Sequence, residues 1–137
     1  MKRMAFFAVL LLPLLFTNTS MAKLTGDFCW NLVDRENPTN VVEMRLNAYN
    51  AGANHYFCSG IILEDDVEIA VIHGTVEAVD DKYWITTTAS GEKADVFWTS
   101  NGKILLDSTF DGTWKEIAIV NGAFDYTTYD MDVIPCE

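Results

Sequence analysis

Positively charged side chains are scarce in this sequence. Its 137 residues include 9 lysines and arginines against 20 aspartates and glutamates, which gives a formal net charge of −11 at pH 7. A surface of this sign repels nucleic acid and anionic lipid, so we expect neither as a partner. The charge favours solubility, and it would also suit a basic protein partner.

An apolar run long enough to cross a membrane is also missing. The most hydrophobic stretch, residues 5–16, is about a dozen residues long, whereas a spanning helix needs about 20. It follows two basic residues and precedes the small-x-small triplet Ser20-Met21-Ala22, which is the layout of a secretory signal peptide. We predict cleavage after Ala22, with loss of two cations, so residues 23–137 form a single domain of charge −13. This domain is expected in a bacterial periplasm or outside the cell, without a lipid anchor on Cys29, because no box of small residues precedes that cysteine.

Helical periodicity is absent after residue 23, so we expect little helix. Apolar residues recur at a period of two instead, which is typical of half-buried strands. A first strand carries Phe28, Trp30 and Leu32 on one face, and a second is centred on Met44. Further strands are predicted over 55–63, 67–79, 83–89, 93–99 and within 104–120, with a bulge or bend at Gly74.

Turn residues separate these strands. Asn-Gly pairs at 101–102 and 121–122 are the strongest turn signals, since both residues tolerate the positive φ of a type I′ hairpin. Asp111-Gly112 is expected to bend or split its segment, and other turns are predicted at 34–40, 50–54, 64–66, 80–81 and 90–91. Roughly eight strands with short links predict an all-β antiparallel meander. Because an open sheet would leave exposed edges, we expect a closed up-and-down barrel.

Three cysteines, Cys29, Cys58 and Cys136, are present. In a meander barrel the first and last strands are neighbours, which places Cys29 beside Cys136. Cys58 lies on the third strand, and a gap of two strand spacings of roughly 4.8 Å exceeds the ~7 Å Cα limit for a bridge. We predict a Cys29–Cys136 disulfide and a free, buried thiol at Cys58. A different strand order would pair Cys58 with one of the others.

The segments LTGDFCW, IHGTVEA and FDGTW, spread over a meander, resemble the calycin group of lipocalins and avidin-like proteins. In those families a glycine shortly precedes an inward-facing tryptophan, as Gly26 precedes Trp30 here. The resemblance implies a barrel whose interior takes a small ligand. It implies no biotin site, because only Asn31 supplies a polar group close after Trp30.

A second resemblance concerns TASGEKADVFWTSNGK. Periplasmic lysozyme inhibitors built on a small eight-stranded barrel have a Ser-Gly loop, a Phe-Trp strand and cysteines near both termini, similar to Ser90-Gly91, Phe97-Trp98 and the Cys29–Cys136 pair. This resemblance implies a partner-binding loop made of Ser90, Gly91, Glu92 and Lys93.

No pattern specifies a catalytic or metal site. Ser90 and Lys93 spell S-x-x-K, but that nucleophile motif needs a helix in a larger domain. His55 and His73 are the only histidines, and zinc would need further ligands beside them. The acidic residues lack the loop spacing of an EF-hand. We expect no enzyme activity, no cofactor and no bound metal.

Aromatic side chains are abundant, with 4 tryptophans and 5 tyrosines. They fill a core by default, and the alternative is that some line a ligand cavity. The candidate ligand-binding residues are Trp30, Tyr83, Trp84, Trp98 and Trp114. We therefore expect an exported binding protein for a small apolar molecule, or else an inhibitor of a basic secreted enzyme such as a lysozyme or protease. A subunit of an envelope assembly is a third possibility.

Overall fold

The chain forms a closed barrel of eight antiparallel strands in a computed structural model. The structure describes residues 25–53 and 55–137, and the predicted signal peptide lies outside them. The strands follow one another around the barrel in chain order: β1 (Gly26–Asp34), β2 (Val41–Gly52), β3 (His55–Glu64), β4 (Val67–Val79), β5 (Lys82–Lys93), β6 (Val96–Leu106), β7 (Gly112–Val120) and β8 (Ala123–Ile134). The all-β class and the up-and-down barrel are confirmed. Among the described residues, no helix is long and apolar enough to span a membrane.

The barrel interior is built from alternate residues of each strand, as the period-two pattern predicts. On β2, Met44 and Leu46 are buried while Asn47 between Leu46 and Ala48 is exposed. Each fully buried large side chain contributes about 1.5–3 kcal/mol through removal of its apolar surface from water. The largest fully buried side chains are Trp30, Trp114, Leu32, Met44, Ile72, Ile104, Leu106 and Met131.

One end of the barrel is closed by aromatic side chains. Trp30 is buried, and its indole Nε1 donates a hydrogen bond to the carbonyl oxygen of Phe110 at 2.7 Å. The Phe110 ring lies 5.2 Å, centroid to centroid, from both Phe28 and Tyr83. The aromatic side chains of β1 therefore face the interior, as predicted, and close this end of the barrel.

The seam between β1 and β8 closes the barrel. Its register begins near the Cys29–Cys136 disulfide, whose Cα atoms are 5.3 Å apart. Beyond the other end of the seam, the Arg35 backbone N–H donates to the Thr128 carbonyl at 3.0 Å, and its guanidinium lies 2.6 Å from the Asp130 carboxylate. The seam is thus fastened covalently at one end and by polar contacts at the other.

The predicted cysteine pairing is confirmed. Cys29 and Cys136 form the disulfide, and Cys58 is a free, buried cysteine on β3. Burial raises the pKa of the Cys58 thiol to about 11, although a hydrogen bond with the Gly74 backbone opposes the rise. At neutral pH this side chain is therefore a protonated thiol that packs as a small apolar group.

Two predicted turns are wrong, because the glycines in them serve close packing inside strands. Ser90-Gly91 lies within β5 and Asn101-Gly102 lies within β6. A Cβ on Gly91 would lie 2.1 Å from the carbonyl oxygen of Ile69, and one on Gly102 would lie 2.2 Å from Nε1 of Trp114. The β5–β6 turn falls at Ala94-Asp95 instead, where both residues have positive φ, 50° and 63°.

The other strong turn signals are confirmed. Asn121 and Gly122 join β7 to β8 with φ values of 50° and 79°, as a type I′ turn requires. Asp111-Gly112 marks the break between β6 and β7. Of the bulge or bend expected at Gly74, the bulge is absent, since pairing continues through that residue on both sides and the register shift between β3 and β4 falls at Ile62/Leu63.

Candidate functional site

A cavity of about 180 Å³ lies at the end of the barrel opposite the Trp30 plug. The loops after β1, β3, β5 and β7 surround this end. Its lining combines the apolar side chains of Val42 and Ile62, the rings of Trp98, Trp114 and Tyr129, and the carboxyl group of Glu116. Side chains of both polarities therefore converge inside the barrel at this end.

The Trp114 ring forms a fixed wall of the cavity. It is 1% exposed, and its Nε1 donates a hydrogen bond to the Thr87 hydroxyl at 3.2 Å. It also stacks on the Tyr129 ring, with centroids 5.3 Å apart and an interplanar angle of 24°. Because Gly102 has no side chain, the indole can approach β6 closely. These contacts hold the Trp114 ring in one position.

Glu116 is the buried acid of the site. The residue is 8% exposed, and its Oε2 makes no hydrogen bond among the described residues. Burial raises the pKa of its carboxyl, and the Asp125 charge adds to the rise, whereas the nearby Ser100 and Tyr129 side chains oppose it. The carboxyl group therefore lies in an environment that penalises its charge and leaves one oxygen unsatisfied.

Tyr129 keeps its proton at neutral pH. Burial, followed by the charges of Glu116 and Asp34, raises the pKa of its phenol. The hydroxyl therefore remains a hydrogen-bond donor, and its hydrogen bond with the Glu116 carboxyl adds to the rise in pKa.

The rim of the cavity carries an ion pair. The Lys93 ammonium lies 2.7 Å from the Glu64 carboxylate, and both side chains line the cavity. The Lys93 side chain is 56% exposed, so the pair contributes little to stability. Its position at the entrance matters more, because a ligand would pass beside these two charges.

The five predicted ligand-binding residues do not form one site. Trp98 and Trp114 line the cavity. Trp30 and Tyr83 belong to the plugged end. Trp84 is 46% exposed on the outer face, because it has the opposite parity to Tyr83 on β5. The prediction that Trp84 lines the barrel interior is therefore wrong.

The predicted partner-binding residues also divide between two surfaces, because they lie on β5 rather than at a hairpin tip. Lys93 lines the cavity rim, and Gly91 packs inward near Trp98. Ser90 and Glu92 face outward and border an outer groove of about 980 Å³. This groove also contains Phe97, which is 70% exposed, and the acids Glu68 and Asp95.

Glu116, Tyr129, Val42 and Ile62 were absent from the predicted site. The sequence does contain a signal for Glu116, because it alternates with Trp114 and Ala118 and so occupies an inward position in β7. A carboxylate at such a position is rarely buried without a partner or a function. Tyr129 has no comparable signal, since several polar residues flank it on β8.

The two histidines and the thiol of Cys58, which would be the nearest further ligand for zinc, lie on opposite faces of the sheet. His55 and His73 are exposed on β3 and β4, whereas Cys58 is buried. Within the part of the chain that the structure describes, no three His, Cys, Asp or Glu side chains form a group suited to a metal ion.

Comparison with known proteins does not assign the chain to a family. No family model matches it, and no curated protein matches it either. The solved structure of a redesigned β-barrel is similar, with 12% sequence identity, a TM-score of 0.47, and coverage of 83% of this chain and 92% of that chain. The class defined by the strand topology is a small, closed, eight-stranded antiparallel barrel. The calycin and lysozyme-inhibitor resemblances stay predictions.

Proposed function

We propose that this protein is an exported, non-catalytic binding protein that holds a small ligand in the open end of its barrel. The observation that carries the proposal is the cavity walled by Trp98, Trp114 and Tyr129. Aromatic walls with a few convergent polar groups are the usual lining of a small-molecule site. The aromatic plug at the other end supports entry from this end alone.

The size of the cavity limits the ligand. Its volume is about 180 Å³, and an apolar protein cavity of about 150 Å³ accommodates benzene. A molecule of one ring, or a chain of similar bulk, would therefore fit inside. Any larger portion of a ligand would extend past the Lys93–Glu64 rim into solvent.

Tryptophan fluorescence tests this proposal. A panel of single-ring compounds is titrated into the mature protein and into two variants, Trp98→Phe in the cavity and Trp84→Phe on the outer face. We expect binding that Trp98→Phe weakens at least about fivefold and that the matched control leaves unchanged. Equal affinities of the two variants would contradict a site at the barrel mouth. The absence of a complex with any of the compounds in native mass spectrometry would also contradict it.

Export is part of this proposal and is supported by the Cys29–Cys136 disulfide, since such bonds persist in oxidising compartments. Expression of the full sequence in a bacterium with a periplasm, followed by fractionation and mass measurement, tests it. We expect a periplasmic product that begins at Lys23. An intact chain confined to the cytosol would contradict it.

A second candidate function is inhibition of a basic secreted enzyme through the outer groove. The observation that favours it is the exposed Phe97 ring surrounded by Glu68, Glu92 and Asp95. An apolar anchor within acidic surroundings complements a basic protein surface. The test is inhibition of basic lysozymes and proteases at physiological ionic strength. Phe97→Ala should weaken inhibition at least about tenfold, while Phe57→Ala, on the outer face of β3, should not; no inhibition at micromolar protein would exclude this function.

A further inference from the structure

The cavity at the open end carries charge mainly of one sign. Carboxylates from three strands line it, namely Glu64, Glu116 and Asp125. Lys93 is the cation among its lining residues, and its ammonium is already paired with Glu64 at 2.7 Å. Glu116 and Asp125 form no ion pair with any residue of 25–53 or 55–137. The unneutralised charge inside this end is therefore negative.

Glu116 also has an unmet hydrogen-bonding requirement. Its Oε2 is shielded from solvent and accepts no hydrogen bond among the residues that the structure describes, and the residue as a whole is only 8% exposed. Leaving a buried polar group unsatisfied costs folding free energy, and the cost is greater for a charged group. A ligand that donates a hydrogen bond to this carboxyl would remove the cost.

The aromatic walls favour the same kind of ligand. A cation near the face of a tryptophan or tyrosine ring is attracted by the negative quadrupole of the ring, most strongly when both are desolvated. Trp98, Trp114 and Tyr129 present three such rings around the cavity, and two of them are stacked on each other. A neutral apolar ligand would use the rings but would leave Oε2 of the buried carboxyl without a hydrogen bond.

We propose that the cavity binds a small organic cation, an ammonium group on an apolar body of about one ring, with Glu116 as its anionic partner and Trp98, Trp114 and Tyr129 as its walls. This inference rests on the proposed ligand-binding function and names the ligand class of the same site. The apolar body packs against Val42 and Ile62, which line the same cavity. The Lys93–Glu64 pair at the rim carries no net charge, so it does not repel an entering cation.

A series of matched probes tests this inference on the mature chain with its disulfide intact. Benzylamine is the cation, benzyl alcohol its neutral counterpart and benzoate the anion. Dissociation constants are measured by calorimetry at physiological ionic strength, which screens non-specific attraction between the cation and the acidic surface. We expect benzylamine to bind at least about tenfold more tightly than benzyl alcohol, and benzoate to bind more weakly than either.

Two variants locate the preference. Glu116→Gln keeps the shape of the side chain and should bring the affinities for benzylamine and benzyl alcohol within about twofold of each other. Glu77→Gln removes the same charge from the exposed outer face of β4 and should leave the preference unchanged. Asp125→Asn, at an exposed position on the cavity lining, should reduce the preference partially and provides a second test if Glu116→Gln does not fold.

The results of these titrations separate the two proposals. If no probe binds the wild-type protein at millimolar concentration, the proposed function of this cavity fails, and the cation inference fails with it. If the three probes bind equally, or benzoate binds best, the cavity is a ligand site and the cation inference is overturned. A preference for benzylamine that persists in Glu116→Gln removes Glu116 from its assigned role.

Discussion

Replacement of Gly102 by alanine tests the close approach between β6 and the Trp114 indole. An added Cβ would lie 2.2 Å from Trp114 Nε1, 2.9 Å from the Lys115 carbonyl oxygen and 3.0 Å from the Thr87 hydroxyl. The indole must therefore move, and its hydrogen bond to Thr87 is lost. Overpacking costs about 1–3 kcal/mol and the hydrogen bond about 1 kcal/mol, so the free energy of unfolding should fall by about 2–4 kcal/mol.

The expected change in the free energy of unfolding has the opposite sign to that for a strand glycine with free space around it. Glycine inside a strand is less favourable than alanine by about 0.5–1 kcal/mol, so an unobstructed Gly102→Ala variant would be more stable than wild type. Urea unfolding followed by circular dichroism, without reductant, measures the difference. Gly122→Ala is the control, because no atom lies within 4 Å of its added Cβ and its cost comes from φ of +79° alone.

A double-mutant cycle assigns the cost to Trp114. In a Trp114→Phe background the colliding Nε1 is absent, and the penalty of Gly102→Ala should shrink by at least about 1 kcal/mol. The penalty of Gly122→Ala should not change in that background. An equal Gly102→Ala penalty in both backgrounds, or a stabilised single variant, would refute the packing described for this wall.

The electrostatics and the seam support three further predictions. Burial raises the pKa of the Glu116 carboxyl in the folded protein above its ordinary value. The free energy of unfolding therefore falls as the pH rises from the unfolded-state pKa through the higher folded-state pKa. Each unit of difference between these two pKa values corresponds to about 1.4 kcal/mol. Glu116→Gln should therefore be more stable than wild type at pH 7, with the difference vanishing below about pH 4 in urea titrations; a constant difference would contradict the raised pKa. Cys136→Ser should lower the free energy of unfolding by about 4–5 kcal/mol, because the bridge closes a long loop, and an unchanged denaturation midpoint would show that the bridge contributes nothing. Lys103 and Lys115 face each other across β6 and β7, so Lys103→Glu should raise the melting temperature by replacing repulsion with attraction worth about 0.5 kcal/mol, whereas Lys82→Glu, at the start of β5, serves as the control.

The barrel was predictable because the same alternation of apolar and polar residues recurs in strand after strand along the chain. The inward face of β1, with Phe28, Trp30 and Leu32, follows from alternation alone. The Cys29–Cys136 pairing then follows from the adjacency of the first and last strands in a closed meander. Each strand supports the same architecture, so an error in one strand does not alter the whole.

The two failed turns show where local signals are overridden. Asn101-Gly102 has the composition of a hairpin, yet Gly102 is needed for the approach of Trp114, which is on another strand. The actual turn at Ala94-Asp95 has no glycine. The turn propensity of Asn-Gly depends on these two residues alone. The strand register, and with it the position of each turn, depends on which side chains must be buried across neighbouring strands.

The site was only partly predictable for a related reason. Adjacent aromatic residues, Tyr83-Trp84 and Phe97-Trp98, do not reveal which ring of each pair faces inward. Their parity is set by turns whose positions the sequence left open. Glu116 was recognisable in principle, because its spacing from Trp114 places a carboxylate on an apolar face.

The order of the strands along the chain determines when the cavity comes into existence during folding. Asp125, Thr127 and Tyr129 belong to β8, so one wall is missing until that strand docks against β1. This docking joins segments that the disulfide shows to be 107 positions apart in sequence, and contacts of such separation form slowly because loop closure precedes them. A chain whose β8 has not yet docked therefore lacks the complete cavity. Once the barrel has closed, an occupant that binds only the closed form opposes release of β8, by an amount that grows with the logarithm of its concentration.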